Sequence, residues 1–137
     1  MNIQDYLSYA ETLPWKWGGG ITGWEGHDCT LFCGGWPVFR GQPDPGEGIR
    51  GTYSTEREAL MIVRRAGGME AFIGERLSRI GWKRVEEPQD GDIGVVHALT
   101  FDGPAWLPAI RAGGLWVGRN PWGQSAADYP CRAIFRG

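Results

Sequence analysis

The residues best suited to chemistry are three in a row, His27–Asp28–Cys29, followed by an apolar run. Asp28 has the character of a helix N-cap, a short acid that accepts hydrogen bonds from the next turn. Cys29 then falls in the first turn, with Phe32, Cys33 and Trp36 following at helical spacing. Backbone N–H groups point outward there without helical partners, and the helix dipole adds partial positive charge. Both favour thiolate over thiol and are expected to lower the pKa. A thiolate within reach of an imidazole is a good nucleophile, and the same N–H groups could hold an oxyanion.

The chain offers two imidazoles, His27 and His97. His97 is the candidate general base, and His27, just before the cap, is the weaker choice. Each residue also has a plainer explanation. Cys29 suits a small buried position at a helix start, since cysteine is among the most buried residue types. Cys33 points the same way and belongs to the core. Capping accounts for Asp28 without catalysis, and His97 can be a strand histidine satisfied by a neighbour. A zinc site from Cys29, Cys33, Cys131 and a histidine would meet the four-ligand preference of zinc. The C-x3-C spacing on one helix is not the usual turn-borne pair, and three cysteines fall short of the four thiolates of most iron–sulfur clusters. No metal or cofactor is expected.

The elements that must position these residues follow from local signals. A helix is expected over Asn2 to Leu13, with Asn2 as cap and Ile3, Tyr6, Leu7 and Ala10 on one face. "WKWGGGITGWEGH" is a loop on its glycine content. The helix that opens at Asp28 meets Pro37, which predicts a kink or early stop. Thr55 and Glu58 form a capping box for a third helix, ended by Gly67–Gly68. A fourth is expected from about Met69 to Ile80, with Gly81 at its exit. The second half is strand-like. Asp90 to Phe101, "AWLPAIRAGG", "LWVGRN" and Cys131 to Gly137 read as strands, with a hairpin signal at Asp102–Gly103. Pro108 within a strand suggests an edge or a bulge. Helices first and an antiparallel meander after them predict one α+β domain over residues 1–137.

Composition narrows the partners. Net charge is −2 with no basic run, which disfavours nucleic acid. No stretch approaches the roughly 20 apolar residues of a transmembrane helix. Met1 to Pro14 carries Asp5 and Glu11 and does not have the layout of a signal peptide, and an odd cysteine count argues against a disulfide framework. Of the eight tryptophans, Trp24, Trp36, Trp82 and Trp116 are expected to pack, and Trp15, Trp17, Trp106 and Trp122 to lie partly exposed as interface anchors.

A nucleophile at a helix start with a base on a following sheet is the arrangement of papain-like thiol hydrolases. The acid–cysteine pair, the helices and Gly91–Asp92 opening a strand resemble the NlpC/P60 cell-wall peptidases. More closely, "DCTLFCGGW", "RGTYST", "RRAGG" and "PQDGDIGVV" resemble an uncharacterised phage and gene-transfer-agent family encoded among tail genes, over roughly Trp15 to Trp116. The resemblance implies a small NlpC/P60-type, papain-like domain, with helices packed on an antiparallel sheet. It implies a structural subunit of a phage tail tip or baseplate, located in the virion tail, made in the host cytoplasm and bound to other tail proteins. The alternative it implies is an active cysteine endopeptidase or amidase that opens peptidoglycan during entry, with Cys29 as nucleophile and His97 as base. A transient assembly factor is a third possibility. The sequence departs from NlpC/P60 in one respect: the catalytic histidine usually starts the strand after the "GD" strand, and that position here holds Ala105 or Trp106.

Overall fold

The computed structural model describes residues 2–100 and 102–137. Helix α1 (Ile3–Ala10) starts on a reciprocal capping box between Asn2 and Asp5 and buries Ile3, Tyr6, Leu7 and Ala10. It is a turn shorter than expected, and Thr12 and Leu13 close it with single turns to Tyr9 and Ala10. A short 3-10 turn at Trp17–Gly19 interrupts the glycine-rich loop. Helix α2 (Cys29–Phe39) begins at the Asp28 cap and runs through Pro37 for two further residues. Gly41, at φ +84°, then ends it in a paired turn, with Gln42 N–H on Pro37 O and Gly41 N–H on Val38 O. Helix α3 (Glu56–Arg65) starts at Thr55, and α4 (Met69–Ser78) follows after Gly67–Gly68.

Six strands form one antiparallel sheet: β1 (Lys83–Arg84), β2 (Ile93–Thr100), β3 (Gly103–Ala112), β4 (Leu115–Asn120), β5 (Gly123–Ala127) and β6 (Cys131–Arg136). Their spatial order is β1-β6-β2-β3-β4-β5, so β2 to β5 are a meander and β6 returns along β2. The molecule is therefore α+β, four N-terminal helices on an open six-stranded sheet. The expected second-half strands are present, with Phe101 outside the described residues. β1 and β5 were not expected: two exposed residues and "GQSAA" carry no branched-residue signal.

The main core lies between helices and sheet. Tyr6, Phe32, Cys33 and Trp36 from the helices meet Ile93, Val95, Ile110 and Phe135 from the sheet. A smaller cluster, Val96, Ala109, Trp116 and Ile134, fills the other sheet face. Pro108 sits in the middle of the sheet, not on an edge strand, yet it lies past the last β3 residues that pair with β4, Ile110 to Ala112. Trp36, Trp82 and Trp116 pack as expected, whereas Trp24 is 52% exposed. The Arg50 guanidinium lies 3.8 Å from the Trp24 ring and covers its inner face in place of apolar packing.

Candidate functional site

The start of α2 is built around Asp28, which is fully buried. Its Oδ1 accepts from Thr30 N–H at 3.1 Å, the Thr30 hydroxyl at 2.9 Å and Leu31 N–H at 2.9 Å. Its Oδ2 accepts from Gly18 N–H at 3.1 Å and the Tyr53 hydroxyl at 2.5 Å. One carboxylate thus caps α2 and ties it to the glycine-rich loop and to the segment before α3. Position 18 admits only glycine. Its φ is +72°, and a Cβ there would lie 1.9 Å from the Tyr53 carbonyl oxygen.

Cys29 stands where the sequence places it, at the first position of α2. Its ionisation is the reverse of the expectation. Burial is the largest effect and pushes the thiol up to about 12, with the Asp28 carboxylate adding to it and Glu56 contributing less. Hydrogen bonds from the N–H groups of Cys29 and Thr30 pull the other way and are outweighed. The helix tip supplies the donors, but the neighbouring carboxylate and the loss of water decide the outcome. Cys33, one turn on, is buried in the core.

Neither imidazole serves this thiol. His97 is exposed on β2, in register with Trp106, their rings 4.8 Å apart. The Arg132 guanidinium caps the same indole at 4.7 Å. His27 is 3% exposed and held in the loop by its backbone, with its N–H on Pro14 O and its C=O receiving Lys16 N–H. Its Nε2 accepts from Arg119 Nε at 3.1 Å. Burial and the Arg119 charge hold His27 down to about 4, so the ring is neutral, with its hydrogen on Nδ1. Arg119 also donates to Leu13 O at 3.2 Å and lies 5.7 Å from the Trp15 ring. Among the described residues, no hydrogen bond joins Cys29 to either histidine. Arg119 was not singled out from sequence: it is 92 residues from His27 and carries no local signal of that contact.

The other motif residues are structural joints. Arg50 grips Asp44 through both carboxylate oxygens, Nε–Oδ2 2.7 Å and Nη2–Oδ1 3.0 Å. Asp92, 1% exposed, accepts from Arg136 at 2.8 Å on each oxygen and from Gln89 N–H at 2.8 Å. The Trp36 indole N–H donates to Gly91 O at 2.8 Å. Two concavities flank these joints. An apolar one of about 30 Å³ lies between α2 and α4, beside Cys33 and Phe72. An open groove of about 530 Å³ is lined by Asn2, Trp36, Arg40, Asp90, Asp92 and Arg136. Cys29 and His97 line neither. Among the described residues, no three of His, Cys, Asp and Glu gather as metal ligands, and no helix is long and apolar enough to cross a membrane.

A family model of a domain of unknown function, DUF6950, matches residues 1–136. The chain belongs to the DUF6950 family. No curated protein matches it, and no solved structure matches it. In this DUF6950 domain the segments "DC", "RGTY" and "GD" each contribute a polar joint: Asp28 to Tyr53, which is buried, and Arg50 to Asp44 and Asp92 to Arg136, which are part-buried.

Proposed function

We propose that this DUF6950 domain is a structural subunit of a phage tail tip or baseplate, on an NlpC/P60-like, papain-like fold from which catalysis has been lost. It is made in the host cytoplasm, resides in the virion tail and binds neighbouring tail proteins. The motif resemblance motivates the setting. One observation carries the loss of catalysis. The Cys29 thiol faces a carboxylate, while His27 is bonded to Arg119 and His97 packs at a tilt against Trp106. A nucleophilic cysteine needs a depressed pKa or an adjacent base, and this one has neither. Mass spectrometry of purified particles tests the setting: the chain is expected at a fixed stoichiometry. Its presence in assembly intermediates alone would make it a transient factor, and its absence from both would end the reading.

A cysteine endopeptidase or amidase acting on peptidoglycan is the second reading. It is favoured by the placement of Cys29 at the first helical position, where two backbone N–H groups reach the sulfur. In that mechanism Cys29 attacks the amide carbonyl, and His97 takes the thiol proton and returns it to the leaving amine. The subunit reading expects no hydrolysis of purified peptidoglycan. Hydrolysis abolished by both Cys29→Ser and His97→Ala would replace it with the enzyme. Alkylation gives a direct check on the thiol. Exposed Cys131 should react first at pH 8, and Cys29 only at strongly alkaline pH or on unfolding.

A further inference from the structure

Helix α3 has no fully buried side chain. Ile62 and Val63 turn inward and pack, half-buried, on the main core. The opposite side carries Arg57, Leu60, Met61, Arg64 and Arg65, all exposed. Leu60 is 57% and Met61 41% exposed, large apolar surfaces on an otherwise charged helix. At 3.6 residues per turn these five share one side.

The charges on that side lack partners. Elsewhere arginines meet carboxylates, as Arg50 meets Asp44 and Arg136 meets Asp92. Among the described residues, Arg57, Arg64 and Arg65 have no carboxylate within 4.0 Å. Arg64 and Arg65 lie in the last turn of α3 and complement the helix dipole. Arg57 lies in the first turn, against the dipole, and has no such local role. Of its acidic neighbours, Glu58 is taken up by the cap, accepting from Ser54 N–H and the Thr55 hydroxyl.

We propose that this side of α3 docks an acidic amphipathic helix of a partner protein. The partner's apolar residues would cover Leu60 and Met61, and its carboxylates would pair with Arg57, Arg64 and Arg65. The inference names the partner chemistry of the subunit reading and rests on it for the existence of a partner. A second copy of this chain fits poorly. An antiparallel α3 centred on Leu60 and Met61 would bring Arg57 against Arg64, and like charges repel. A lipid surface fits poorly too, because the remaining apolar residues of α3 face the core and two side chains bury little area in a bilayer.

The test uses the purified chain and a labelled synthetic helix bearing leucines at three-and-four spacing flanked by glutamates. Its counterparts are the same helix with lysines for the glutamates, vesicles containing anionic lipid, and the chain alone in sedimentation. Fluorescence anisotropy should show binding to the acidic helix over the basic one. Arg57→Glu with Arg64→Glu should weaken it at least about tenfold and turn the preference toward the lysine helix. Leu60→Ser should weaken it without reversing the preference. These positions are exposed, and far-UV circular dichroism checks that the fold survives. Equal binding of both helices, binding to vesicles alone, self-association lost in Leu60→Ser, or no binding at all would each overturn the proposal. Absence of the chain from particles would remove the subunit reading and leave this measurement standing.

Discussion

Removing the Asp28 carboxylate would strip the acceptor from Gly18 N–H, Leu31 N–H and the Tyr53 hydroxyl at once. Loss of an N-cap alone costs about 1 kcal/mol. Each buried donor left without a partner adds about 1–3 kcal/mol. With Leu31 N–H counted in the cap, Gly18 N–H and the Tyr53 hydroxyl are the two further donors, so Asp28→Ala should destabilise the domain by about 3–7 kcal/mol, a large part of the roughly 5–15 kcal/mol of a typical fold. Urea unfolding midpoints measure it. A loss below about 1 kcal/mol would mean that the three donors find other partners. The cap itself was legible, because a short acid before an apolar run is a local signal. The reach of its second oxygen to Gly18 and Tyr53 was not, since that depends on where two loops return. The same division holds for Cys29. Its place at the helix tip is written locally. Its protonation is decided by burial and by the Asp28 and Glu56 charges, which only the folded molecule assembles.

Among elements, those with local start and stop signals were legible. The Asn2 cap, the Thr55–Glu58 box and the glycines after α3 and α4 bound their helices, whereas α2 runs past Pro37, where a kink or stop was expected, and ends at Gly41. β5 forms because β4 pairs along it from Trp116↔Ala127 to Asn120↔Gly123, and its own residues carry little strand preference. The return of β6 beside β2 also lacks a local mark. It is fixed by which side chains share the core, Ile93 with Phe135 and Val95 with Ala133. A single glycine shows how tightly the outer face is set. Gly94 on β2 lies under the Trp116 indole, and a Cβ there would lie 2.6 Å from the ring. Trp116 is 1% exposed and has little room to yield. Overpacking of this kind costs about 1–3 kcal/mol. Gly94→Ala should lower the unfolding midpoint accordingly and shift the Trp116 contribution to near-UV circular dichroism. An unchanged midpoint would show that the indole can move aside.

At the scale of the whole molecule, buried ionisable groups bound the pH range of stability on both sides. On the acid side the group is His27, whose folded value of about 4 lies below the 6.5 of an unperturbed imidazole. Between those values the unfolded chain binds a proton that the folded one refuses, so stability rises with pH there. The His27 contribution is complete above about pH 6.5 and is lost as pH falls toward 4. The full shift corresponds to about 3 kcal/mol. Solvent near the Arg119 side screens the charges, and about 2 kcal/mol is the better expectation. On the alkaline side the groups are two thiols, Cys29, raised to about 12, and Cys33, held well above the usual thiol range by burial in the core. The Tyr6 and Tyr53 hydroxyls are raised beside them, chiefly by burial. Here the folded chain keeps protons that the unfolded chain releases, so stability is complete below about pH 8.5 and falls as pH rises toward 12. Cys29 alone should remove about 2 kcal/mol by pH 10. Urea midpoints across pH should therefore form a plateau between about 6.5 and 8.5 with a decline on each side. His27→Gln should flatten the acid limb and leave the alkaline limb, and Cys29→Ser should reduce the alkaline limb and leave the acid one. An alkaline limb unchanged in Cys29→Ser would mean that folding does not raise the Cys29 thiol above its ordinary value. That result would remove the raised thiol as a ground for lost catalysis and leave the loss resting on the absence of an adjacent base.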